Sequence, residues 1–368
     1  MKMMKASVIF ALGILLGFGI AVIGHRLHKR IDFAAKAQHL KNHAVAALDR
    51  VFGAKARAAR LEHVVAPVPY FPPGSIWTQD ISHALLDPQS STMIAWLANA
   101  GGWGRGDRMQ VDFAIRVLQT DAATPYVPFK GPGPDYADSD QITVFPLPAG
   151  GGIEGESGYQ CPIEQGDCHL IVVDRNHGKL YEAYQANKAD DAITANVIAV
   201  WDLNRVYPPS GRGDQCTSAD AAGFPIAPLL FNADELATGS INHAIRFILP
   251  NPRMRAGVFV HPATHAGGPS GPATAPPMGA HFRLKSSFDM SQLKPAARVV
   301  ARAMQKYGMF LSDGGNTALT AQNDADTKIR YDDVDFGSHD LQAIKVTDFE
   351  VLDLGTPIQS THNCKRIP

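Results

Sequence analysis

Residues 169–184 read His-Leu-Ile-Val-Val-Asp-Arg-Asn-His-Gly-Lys-Leu-Tyr-Glu-Ala-Tyr. Two runs rich in β-branched and aromatic residues flank Arg175-Asn-His-Gly178, and an Asn-His-Gly turn between such runs signals a hairpin. Val197-Ile-Ala-Val-Trp-Asp-Leu203 supplies a third strand of the same texture. Outward from these, 244–249, 257–261, 280–285, 308–312 and 345–352 are further short apolar runs bounded by turn residues. Residues 131–166 read almost entirely as loop. Helical spacing is convincing at 293–307, with Gly308 placed to end the helix. Eight or more short strands with one helix in the C-terminal half predict a mainly β body, a two-sheet sandwich of jelly-roll type. The regular helices that an α/β fold needs between its strands are missing.

The composition suits a folded chain: 368 residues, 45% hydrophobic and 19% charged, with 33 Gly and 26 Pro. A net charge of −1 gives no field for nucleic acid. Four cysteines permit two disulfides, Cys161 with Cys168 and Cys216 with Cys364. The absence of Cys-x-x-Cys argues against a zinc cluster built from them.

Lys2 and Lys5 precede an unbroken apolar run over residues 6–24, long enough to match the ~30 Å hydrocarbon core of a bilayer. No small-x-small cleavage site follows it, so residues 1–30 are expected to form an uncleaved signal anchor, with secretion after cleavage as the alternative. Residues 31–66 are Ala-rich and basic with helical spacing, as in a helical stalk next to a membrane. Residues 67–368 are expected to form a single β-rich domain outside the cytoplasm.

Candidate chemistry concentrates between residues 241 and 285. Two-residue periodicity puts His281, Arg283 and Lys285 on one face of a strand and Phe282 and Leu284 on the other. Arg246 lies in a similar strand, Ile241-Asn-His-Ala-Ile-Arg-Phe247. A cationic face of Arg246, His281, Arg283 and Lys285 suits the carboxylates or sulfates of an acidic polysaccharide. His243 or His261 would then serve as general base. Glycoside hydrolysis needs paired carboxylates, and Asp174 and Asp220 are candidates. Asp174 also reads as a turn residue opening the hairpin loop. No cofactor is expected, although His243, His261 and His265 form a weaker alternative zinc set. Pro262 after His261 breaks the helical His-Glu-x-x-His pattern. No Gly-x-Ser-x-Gly elbow or phosphate loop occurs.

Three segments are distinctive: Cys-Thr-Ser-Ala-Asp-Ala-Ala-Gly-Phe-Pro-Ile-Ala-Pro over 216–228, Ile-Asn-His-Ala-Ile-Arg-Phe over 241–247, and Pro-Pro-Met-Gly-Ala-His-Phe-Arg-Leu-Lys-Ser-Ser-Phe-Asp over 276–289. With these, the chain resembles, over roughly residues 70–355, a family of secreted bacterial and fungal proteins without established activity. The resemblance implies secretion and one compact domain, and it assigns no catalytic residue. The expected function is an extracytoplasmic carbohydrate-active protein, a hydrolase or lyase working on an extracellular or cell-wall polysaccharide. The alternatives are a membrane-tethered module binding a glycan or envelope partner, and a histidine-ligated metal-dependent hydrolase.

Overall fold

The computed structural model describes residues 60, 61, 64–133, 136, 138–162 and 166–367. The apolar segment at 6–24 and nearly all of the expected stalk lie outside the described residues. Among the described residues no helix is long and apolar enough to cross a membrane.

Leu170–Asp174 and Lys179–Tyr184 form the expected antiparallel hairpin, with Asp174 opposite Lys179 at the turn. Val197–Asp202 pairs antiparallel on the far side of Lys179–Tyr184, and Val117–Gln119 runs parallel to Leu170–Asp174. All five residues of Leu170–Asp174 are buried. Ile171 and Val173 join one hydrophobic core with Leu180, Ala199 and Trp201, whereas Leu170 and Val172 join a second with Ala183 and Ile198. Alternate residues thus serve opposite cores, which is why the strand reads as a continuous apolar run.

The smaller core is closed by Phe129, Phe145 and Ile193 from another four-stranded sheet, ordered Val144–Pro146, Tyr126–Lys130, Ala192–Thr194, Asn187–Ala189. The larger core is closed by a six-stranded sheet. Its order is Gln110–Ile115, Ala318–Gln322, Ile245–Leu249, Met309–Gly314, His281–Leu284, Phe349–Val351. Trp103 is wholly inside, edge-on to Phe247 and Phe349, with its Nε1 donating to Ile344 O at 3.0 Å. Its one polar atom is therefore satisfied. Residues from Val64 onward cluster as one unit.

The body is mainly β, as the sequence predicts, but its pairing is mixed. Gln110–Ile115 runs parallel to Ala318–Gln322, and Ile245–Leu249 runs parallel to Met309–Gly314. An antiparallel jelly roll has no such pairs. The predicted helix is Pro295–Lys306, with Pro at its first turn and Ala296, Val299, Val300, Ala303 and Met304 buried along one stripe. Gly308 follows at φ +72°, where an added Cβ would meet Phe282 O at 2.7 Å. Two further helices, Ser90–Asn99 and Ala233–Thr238, correct the expectation of a single one. The second begins with a reciprocal cap between Asn232 and Glu235, an Asn-x-x-Glu signal visible in the sequence.

Both expected disulfides form, Cys161–Cys168 and Cys216–Cys364. Such bonds suit an oxidising compartment.

Candidate active site

Arg246 lies in Ile245–Leu249, a central strand of the six-stranded sheet in which every residue is buried. A guanidinium there must bring its partners with it. Its Nη2 meets Asp220 Oδ2 at 2.7 Å and Asp313 Oδ2 at 3.3 Å, and its Nη1 donates to Thr320 Oγ1 at 2.8 Å. The segments 216–228 and 241–247, distinctive in the sequence, therefore meet at the Asp220–Arg246 pair. Both carboxylate oxygens touch one nitrogen, so they are no farther apart than those two contacts laid end to end, about 6 Å.

The Asp220 loop is built for rigidity. Asp220 Oδ1 accepts from the amides of Ala222 at 3.0 Å and Phe224 at 3.3 Å, and Ser218 Oγ donates to Phe224 O at 2.7 Å. Gly223 stands at φ +83°, where a Cβ would fall 2.1 Å from Thr264 Oγ1, so the turn admits only glycine. Cys216 ties the start of the loop to Cys364.

A cavity of about 640 Å³ opens beside this pair, lined among others by Tyr136, His169, Tyr184, Asn251, Asp313 and Asn316. The Asp220 carboxylate is fully enclosed, whereas that of Asp313 is 27% exposed. Burial pushes the Asp220 carboxyl up to about 6, against the pull of Arg246 and with help from the neighbouring Asp313 charge. Burial also raises Asp313, again opposed by Arg246. Asp220 accepts from Arg246 and two amides, and these bonds favour its ionised form. Asp313 has a longer contact to Arg246 and one amide, that of Gly314 at 2.7 Å. A proton taken up by the pair therefore belongs on Asp313, the member that faces the cavity.

His169 adds a second ion pair. Its Nδ1 lies 2.6 Å from Glu154 Oε2 and its Nε2 lies 3.0 Å from Ala219 O. Two acceptors facing two ring nitrogens call for the doubly protonated ring. Burial disfavours that charge, yet the Glu154 carboxylate lifts the imidazole to about 9. Glu154 in turn is held below the usual carboxylate range, the imidazolium outweighing burial.

Of the other sequence candidates only His265 lines this cavity, and the single cationic groove does not assemble. Arg246, His281, Arg283 and Lys285 do not line the cavity. His281 stacks on Phe310 at 3.8 Å and bonds Tyr307 O through Nε2, and burial lowers its ring to about 4. Arg283 pairs with Glu350 at 2.7 Å and donates to the carbonyls of Ile81 and Ala84, while Lys285 Nζ donates to Thr347 O at 2.7 Å. The alternation itself holds, since Phe282 and Leu284 are buried, but the polar face is covered by neighbouring chain rather than left open.

His243 sits in a second cavity, with Nδ1 at 2.7 Å from Ala244 O and Nε2 at 3.1 Å from Glu235 Oε1. His261 pairs with Asp214 at 2.7 Å on the surface. Asp174 is a turn anchor: it accepts from the Tyr126 hydroxyl, from Thr120 Oγ1 at 3.2 Å, and from His177 through Nδ1 at 2.7 Å. His265 bonds Ala221 O and His362. Among the described residues no three His, Cys, Asp or Glu side chains converge as a metal site, so His243, His261 and His265 do not form one.

The residues that the sequence reading missed are His169, Glu154, Asp313 and Thr320. His169 was visible as a polar residue at the mouth of the most apolar strand, and Asp313 as an acid opening the turn Asp313-Gly-Gly-Asn316. Comparison with protein-family models, with curated proteins and with solved structures gives no match.

Proposed function

We propose that the protein is an extracytoplasmic carbohydrate-active enzyme, a hydrolase or lyase, with its reaction at the Asp313 cavity. The observation that carries this reading is the arginine-bridged pair of Asp220 and Asp313, only one of which reaches open space. A carboxyl raised by burial and a like charge, at the wall of a cavity, is suited to general acid–base work. Asp313 is the proton donor and acceptor, while Asp220 and Arg246 set its proton affinity from behind. Asp167 offers a second carboxylate on the same wall. Tyr136 and Tyr184 give ring surface, and Asn251 and Asn316 give hydrogen-bonding edges, for a sugar unit. The two disulfides support action outside the cytoplasm, where the segment at 6–24 would tether the domain to a membrane. In this reading the body packs its sheets as a sandwich.

The test uses the full chain, wild type and Asp313→Asn, incubated with neutral and acidic polysaccharides, with products read by mass spectrometry. Shortened products from one glycan, lost in Asp313→Asn, are expected; unsaturated ends identify a lyase. Unchanged turnover in Asp313→Asn refutes the site. No product from any glycan refutes the enzyme and leaves the tethered binding module.

A further inference from the structure

The second cavity, about 550 Å³, shares no lining residue with the first. One wall is the segment Ala66-Pro-Val-Pro-Tyr-Phe71. Arg175 pins it: Nη2 donates to Val68 O at 2.9 Å, Nη1 to Pro69 O at 3.2 Å, and the guanidinium stands 5.4 Å over the Tyr70 ring. A proline-rich stretch held at two carbonyls and one ring presents Tyr70 in a fixed place. Phe71 and Trp77 continue the aromatic wall.

Three features describe what the cavity accepts. Among the described residues neither the Tyr70 nor the Ser75 hydroxyl has a side-chain hydrogen-bond partner, and neither oxygen is sealed from solvent, so both open into the cavity. Hydroxyls that open at a cavity wall are free to bond to what fills it. The charges balance: Arg175, His243 and Lys328 face Asp234, Glu235 and Asp326. Most are already committed, Arg175 to the carbonyls, His243 to Glu235, Asp326 to Arg116 and Asp234 to the Ile329 amide. Gln119 and Asn242 add carboxamides that both donate and accept, while Asn232 is already bonded to the Glu235 amide and to Gln322.

An aromatic wall, open hydroxyls, carboxamides and no net charge match a molecule with one apolar face and a rim of hydroxyls. We propose that this cavity is a second, non-catalytic glycan site that takes a neutral sugar ring. The proposal rests on the carbohydrate reading of the protein but not on the chemistry at Asp313.

The experiment uses the full chain in a detergent without a sugar headgroup, carrying Asp313→Asn so that no probe is consumed. The probes are neutral hexasaccharides of glucose, xylose, mannose and N-acetylglucosamine, with trigalacturonate as the acidic comparison, followed by calorimetry. One neutral hexasaccharide is expected to bind, about tenfold more weakly once Tyr70→Phe and Ser75→Ala are added, as for the loss of one or two hydrogen bonds. Those substitutions delete only hydroxyls without side-chain partners, and an unchanged near-ultraviolet spectrum confirms folding. Equal affinity with and without them, preference for trigalacturonate, or no binding overturns the second site. Cleavage by the wild type together with any of those results leaves the Asp313 reading standing. Hydroxyl-dependent binding without cleavage does the reverse.

Discussion

Replacing Asp220 by asparagine tests the buried ion network most directly. The substitution keeps shape and an acceptor for the Ala222 and Phe224 amides but leaves Arg246 without its closest countercharge, where the two side chains are 0% and 2% exposed. Breaking a buried pair from one side costs about 3–5 kcal/mol. Asp313 stays 3.3 Å from the same nitrogen and offsets part, so the lower end, about 3 kcal/mol, is expected. Pairing Asp220→Asn with Arg246→Met removes the stranded charge, and the double variant should be more stable than additivity predicts by about 2 kcal/mol. Urea unfolding of the full chain with disulfides intact gives both numbers as midpoint shifts at unchanged slope. pH supplies an independent sign. Because burial raises the carboxyls of the Asp220–Asp313 pair above the ordinary value of 3.8, the pair's proton-linked stability is fully present below 3.8 and is lost as pH rises through the raised range. In the asparagine variant Asp313 is the one carboxylate left to neutralise Arg246 and stays ionised, so that dependence should shrink. A loss under about 1 kcal/mol, or strict additivity in the cycle, would refute the argument that this pair is an interdependent buried unit.

Three other outcomes follow from the same geometry. His169, lifted to about 9, contributes stability that is complete below 6.5 and lost as pH rises through 9; Glu154→Gln should abolish this alkaline step in stability–pH curves. His281, lowered to about 4 by burial, contributes stability that is present above 6.5 and lost as pH falls through 4, and its ring should remain neutral at pH 5 by NMR. Deleting Cys216–Cys364, which spans 148 residues, should cost about 5 kcal/mol on the chain-entropy scale, against about 2.4 kcal/mol for Cys161–Cys168, which spans 7; denaturant midpoints of the two double-alanine variants rank them.

Local signals carried the sequence reading as far as local physics decides structure. The hairpin at 170–184 and the helix at 295–306 announce themselves through turn residues and periodicity. The parallel pairing of Gln110–Ile115 with Ala318–Gln322 does not, because neither segment holds a signal naming its distant partner. Arg246 shows why the site stayed hidden. Two-residue alternation assigns it to an open face only if the strand has one, and Ile245–Leu249 is covered on both sides. For His281, Arg283 and Lys285 the alternation was right and the inference from it was not. A polar face signals solvent or neighbouring chain equally, and here residues 81–84 and 345–350 cover it.

The Gln110–Ala318 pairing also sets a schedule for folding. The sheet gains its Gln110–Ile115 strand only when segments roughly 200 residues apart meet, and such long loop closures slow folding by orders of magnitude relative to local hairpins. Until then Ala318–Gln322 and Gln110–Ile115 each present an unpaired backbone edge to other chains. Recovery of native protein should therefore fall as chain concentration rises during refolding, because intermolecular pairing competes with a partner that arrives late.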